Sequence, residues 1–323
     1  MLWLALSLFT AASIAVRDAI VKRGASALDE YTAVLGISAT TVLVLLLPFL
    51  FIPFPPLERG VLVGLAGSGG PNLIAYVLLA KAVKYSDLSL VAPLMGLTPL
   101  FLLVTSPLIV GEVAGPLGMV GVLLIVIGTY VLNLRDFRHG PLAPLRALAR
   151  ERGARYMLGV AFLWSISANY DKIGIEASSP LAWPLLVNLL IAVVMGGLVL
   201  ARRRMPALRV GRAAGGQAAA DRDDAAGEAG VAAGRAIGKV APGPARHVEW
   251  RILAVGGAVN ALSISAQMYA LTLTLVPYVI AVKRSSVLFS VVLGALAFGE
   301  ARIRERALGA VLILGGIVLF ALR

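Results

Sequence analysis

Cysteine is absent and histidine is confined to His139 and His247. That excludes disulfides and thiolate metal sites and leaves almost no material for Cys or His nucleophiles. Charge is scarce too: 14% of the chain is Asp, Glu, Lys or Arg, against 59% hydrophobic residues and a mean hydropathy of +0.90. Soluble domains carry about 25% charge, so a chain this apolar reads as an integral membrane protein. Acids are the rarer sign, 17 against 29 bases, for a net charge of +12. There is no phosphate-cradling nucleotide loop and no carboxylate-rich metal motif. These absences argue against an enzyme, a cofactor and a metal site. The excess of base does not indicate nucleic acid, because most of it lies between apolar runs, where it orients spans and attracts anionic headgroups.

What is present is a series of apolar runs, each close to the ~20 residues that cross ~30 Å of hydrocarbon. They cover residues 2–21, 31–53, 60–80, 88–109, 116–134, 156–175, 181–201, 251–271, 276–298 and 306–322. The first lacks a basic leader and is followed by another apolar run, so it reads as a span, not a secretory signal. Pro and Gly punctuate the ends, as at Pro53, Pro55 and Pro56, Gly111 to Pro116, and Ser179-Pro180. Trp3, Trp183 and Trp250 lie near predicted ends, where an amphipathic ring suits headgroup depth; Trp164 does not fit that pattern. Residues 202–249, rich in Ala, Gly and Arg with no apolar period, read as a disordered loop.

The chain repeats itself at long range. Asp18 aligns with Asp171, and Gly111-Glu112 followed by Gly118, Gly121 and Gly128 recurs as Gly299-Glu300 followed by Gly309, Gly315 and Gly316. The expected fold is therefore all-α and membrane-embedded: ten transmembrane helices as two five-helix repeats around a central cavity. The first repeat covers 1–134, a basic loop 135–155, and the second repeat 156–323. Five is odd, so the second repeat enters from the opposite side and the two are inverted, a common build of secondary transporters. The glycine faces of the fifth and tenth spans fit close packing, within the chain or across a homodimer.

Ionisable groups inside spans cost ~2.5 to 3.5 kcal/mol each on insertion scales, so they face a wet cavity or a partner. Lys283-Arg284 stand inside the ninth span. Adjacent helical side chains point ~100° apart, so both cannot escape to headgroups the same way. The one facing the bundle suits a carboxylate or phosphate, bidentately for Arg284; snorkelling of both stems is the alternative. Asn72, Asn260, Gln267 and Tyr269 are polar groups within spans that fit either cavity lining or interhelical hydrogen bonds. Asp18 and Asp171 offer carboxylates for ion coupling, or local pairs with Arg17 and Lys172. Glu112 and Glu300, each after a helix-ending glycine, read as carboxylates in water.

The doubled five-span unit, its repeated Gly-Glu and Thr98-Pro99 in the fourth span resemble the drug/metabolite transporter superfamily, EamA-like branch. Lys283-Arg284 is similar to the adjacent pair that organic-phosphate translocators of that superfamily carry in the ninth span. The resemblance implies a multi-pass carrier of the plasma or inner membrane, working by alternating access on a small organic solute. With Lys283 and Arg284 the expected solute is anionic or phosphorylated. The alternatives are export of neutral or zwitterionic metabolites such as amino acids, and a non-transport scaffold. Most basic residues follow the odd-numbered spans, which by the positive-inside rule places both termini outside the cytoplasm. Relatives of this architecture are usually drawn with both termini inside.

Overall fold

The computed structural model describes residues 1–24, 30–86, 93–133, 150–204, 246–298 and 303–322. Gly299-Glu300, residues 135–149 of the basic inter-repeat loop and residues 205–245 of the 202–249 loop lie outside them. The described residues form helices and short connections, without strands. In chain order the helices are α1 (Leu2–Gly24), α2 (Glu30–Leu46), α3 (Gly60–Gly64), α4 (Gly70–Tyr85), α5 (Thr98–Ile109) and α6 (Pro116–Asn133), then α7 (Arg152–Glu176), α8 (Ala182–Arg204), α9 (Arg246–Leu273), α10 (Val276–Arg284), α11 (Ser286–Phe298) and α12 (Ile303–Ala321). Among the described residues, six segments are long and apolar enough to cross a membrane by length and composition. Three shorter apolar helices, Pro93–Ile109, Pro116–Leu132 and Leu308–Ala321, accompany them. Residues 152–176, too polar to count by composition, form the long α7.

Local sequence sets the irregularities. Pro48 tightens the end of α2 into a 3₁₀ turn, Leu47–Leu50. A π turn, Leu65–Gly69, joins α3 to α4 without ending the span, a distortion frequent at functional sites. The fourth span stops at Gly96-Leu97 and restarts as α5 at Thr98, with Pro99 at the front of the new helix, where a missing N–H is tolerated. The ninth span, expected as one helix after Pro277, is instead two, α10 and α11, divided at Ser285. The Ser285 hydroxyl donates to Val282 O at 2.6 Å, and its backbone N–H donates to the same carbonyl at 2.9 Å. A side chain competing for a backbone acceptor is a known cause of such bends.

The helices pair in a pattern that maps onto itself when the chain's halves are exchanged. α1 packs on α9, as α7 packs on the α3–α4 span; α2 packs on α8, and α6 on α12. Contacts across the first two pairs run with opposed numbering: Thr10 with Ser263 and Arg17 with Asn260, Asn72 with Ser167 and Ser68 with Asp171. Both pairs are antiparallel. In hydrocarbon, apolar burial gives little drive for helix association, so small residues that allow close approach matter more. Accordingly Gly128 faces the Gly309 carbonyl and Gly121 faces the Gly316 carbonyl. These glycine faces are therefore occupied within the chain, which removes the reason for expecting a homodimer through them. Outward, α9 presents Val255, Leu262, Tyr269 and Leu273 as an exposed apolar stripe, the face a lipid-contacting helix shows.

Candidate functional site

The centre of the polar interior is α7, which carries two stripes at helical spacing. Ser167 and Asp171 face the α3–α4 span. The Ser68 hydroxyl, on the π turn, donates to Asp171 Oδ1 at 2.5 Å, and Trp183 Nε1–H donates to the same oxygen at 3.0 Å. Ser167 lies 3.1 Å from Ser68 and accepts from Asn72 Nδ2 at 2.6 Å. Asp171 is buried, and the donors around it offset the cost of placing a carboxylate there. Trp183 can approach because Gly64 and Gly174 have no side chain; a Cβ at either would meet its indole.

The second stripe, Ser165, Asn169 and Lys172, faces the fourth span. Asn169 Oδ1 accepts from Ser106 at 2.6 Å, and its Nδ2 donates to Thr105 Oγ1 at 3.0 Å and Ser165 O at 2.9 Å. Lys172 does not pair with its neighbour Asp171. Its ammonium binds Glu112 Oε1, while Glu112 Oε2 accepts the Val276 N–H at 2.7 Å, capping α10. Glu112, expected in water, has a side chain only 9% exposed. Gly111 turns the chain toward it at φ +72°, which only glycine adopts without strain.

α10 is buried along Val276 to Val282 and ends in Lys283 and Arg284. Arg284 does not turn out to headgroups. Its Nη2 donates to Thr98 Oγ1 at 2.8 Å, and its guanidinium lies 5.6 Å from the centroid of Trp164, accounting for a tryptophan far from the interface. Arg284 Nε is buried with no hydrogen-bond partner among the described residues. Two broken spans thus meet at one point: the last residue before the ninth-span break bonds the first residue after the fourth-span break. Lys283 lies within electrostatic range of Arg284, Arg17, Asp171 and Asp18. Three cations there face two carboxylates, so positive charge is in excess.

Arg17 and Asp18 do pair locally, at 2.7 Å, and Arg17 also donates to Asn260 Oδ1 at 2.7 Å. Asn260 in turn donates to Thr41 at 3.1 Å. Asp18 remains exposed, with a side chain 56% accessible. Gln267 is buried on α9, whereas Tyr269, two positions on, stands on the outer stripe, away from the interior polar groups. Asn72 thus joins Asp171 through Ser167 and Ser68, Asp171 lies within electrostatic range of Lys283, and Asn260 pairs with Arg17. Sequence reasoning passed over Ser68, Ser106, Ser167 and Thr105, although Ser165, Asn169, Lys172 and Ser167, Asp171 repeat at helical spacing in a run too polar for a plain span.

Two likenesses to known proteins bear on this arrangement. Residues 1–134 match the model of the EamA-like transporter family. One solved structure, titled only "Crystal structure of protein", aligns with 99% of this chain and 95% of its own at a TM-score of 0.67 and 15% identity, so the fold is shared across nearly the whole length. The search of curated proteins gave no match.

Proposed function

Because residues 1–134 match the model of the EamA-like transporter family and a solved fold aligns with 99% of the chain, we propose that the protein is a secondary transporter of a small organic anion, phosphate- or carboxylate-bearing. It works by alternating access between two inverted five-helix repeats. The exchange-symmetric pairing and the antiparallel α1–α9 and α7–α4 contacts support the inverted build. Discontinuous spans that meet in space are where transporters of this kind bind solute.

The observation that carries the substrate class is Arg284. Thr98 and Trp164 hold its guanidinium in the interior, its Nε–H is unpartnered, and Lys283 stands beside it. An anion there gains a charge-assisted, bidentate contact. The helix N-termini of α5 and α11 at the two breaks add positive ends. Asn72, Asn260 and Gln267 belong to the polar wall, and Asp171 to ion coupling. The test is uptake into proteoliposomes from a panel of organic phosphates, dicarboxylates and neutral amino acids. Anions are taken up by wild type and not by Lys283→Met. Uptake confined to amino acids and unchanged in Lys283→Met contradicts the reading. A zwitterionic substrate is the second reading, favoured by the proximity of Asp171 to Lys283.

A further inference from the structure

Glu112 does more than end a span. Its two oxygens tie three elements together: the turn after α5, the late part of α7 through Lys172, and the first turn of α10 through the Val276 N–H. A second tie crosses the same face, from the Glu58 N–H to Ala177 O at 3.0 Å. Just outside the ion pair opens a cleft of about 250 Å³ lined by Lys172, Glu176, Ser178, Ser179 and Thr272 among others. Lys172 therefore belongs at once to the cleft and to the ion pair with Glu112. On the inner side, Ser106, whose carbonyl accepts the Glu112 N–H at 3.3 Å, is fully buried against Asn169.

We propose that the cleft is the mouth of the solute path on the face bearing the chain termini, and that the Glu112–Lys172 pair is the latch that closes it. Opening requires three things together: the ion pair separates, the α10 cap is released, and the half-helix ending in Lys283-Arg284 becomes free to move. One carboxylate thus couples closure of this face to the position of the anion-binding cation. Glu112 is a positioning residue that acts through α10. An incoming anion pairs with Lys172 in place of Glu112, so the chemistry that admits the solute also breaks the latch.

The inference rests on the alternating-access reading, but its test needs no solute, so loss of anion binding at Arg284 leaves it standing. The natural chain has no cysteine, and Ser106→Cys supplies a near-isosteric probe beneath the latch. Labelling of the reconstituted protein by a membrane-impermeant maleimide from the terminal face is slow in this background. It accelerates about ten- to a hundredfold, the range for losing a charged hydrogen bond, when Glu112→Gln or Lys172→Met is added. Lys172→Met is the safer variant, because Glu112 still caps α10. Rates unchanged in both variants overturn the proposal. So does equal acceleration from both faces with loss of monodispersity, which marks general loosening.

Discussion

At the scale of single residues, the protein's polar groups divide by whether their partners can be read from neighbouring sequence. Lys283-Arg284 was legible because two cations inside an apolar helix are costly wherever the chain goes. Their direction was not, because it depends on Thr98 and Trp164 arriving from other spans. Arg17-Asp18 pair as adjacent residues, whereas Asp171-Lys172 do not. Consecutive helical positions point ~100° apart, and here each finds a better partner across a helix interface. Glu112 misled for the same reason: a carboxylate after a terminal glycine looks solvated until α7 and α10 close over it. Trp183→Phe removes one of the donors to a buried carboxylate, which costs ~1 to 3 kcal/mol. The expected result is a fall of several degrees in the detergent melting temperature, while Trp250→Phe, on the exposed end of α9, leaves it unchanged. Equal behaviour of the two contradicts the role given to the Trp183 indole N–H.

At the scale of elements, the all-helical, membrane-spanning character followed from length and composition, six of the ten expected spans being long and apolar enough among the described residues, and the breaks within the spans did not. Pro277 marked the start of a helix, but the division at Ser285 comes from a serine side chain competing for a backbone carbonyl. The distorted third span likewise lacks a single-residue signature, since glycine at Gly64, Gly67 and Gly69 serves close packing. Glycines offer a sharp test. A Cβ at Gly128 meets the Gly309 carbonyl and Ile313, and at Gly197 it meets nothing within 4 Å. Gly128→Ala is therefore expected to lower the melting temperature. Gly197→Ala raises it slightly, by the ~1 kcal/mol that alanine gains in a helix. Thermal denaturation of the two variants in one detergent checks the contrast.

At the scale of the whole molecule, Asp18 with Asp171 and the doubled Gly-Glu suggest a repeat, and the helix pairing among the described residues is compatible with one. The solved fold reaches across 99% of the chain, while the family match ends at residue 134, as expected where an architecture outlasts its sequence pattern. The proposed Glu112 latch lies at the ends of α5, α7 and α9, with the short connections between them; a ten-span reading assigns the basic loops to the other face. Charge bias predicts that other face to be cytoplasmic, so a reporter fused at the C-terminus is expected outside the cytoplasm, and a cytoplasmic signal reverses the assignment. The central claim, that Arg284 is held inside the bundle to bind an anion, is tested most directly by binding. Purified wild type, Arg284→Met and Arg284→Lys are titrated with a labelled small organic phosphate. Affinity is predicted to fall about ten- to a hundredfold in Arg284→Met and nearly as far in Arg284→Lys, which lacks the planar fork, with all three proteins monodisperse. Equal affinity in the three contradicts the account.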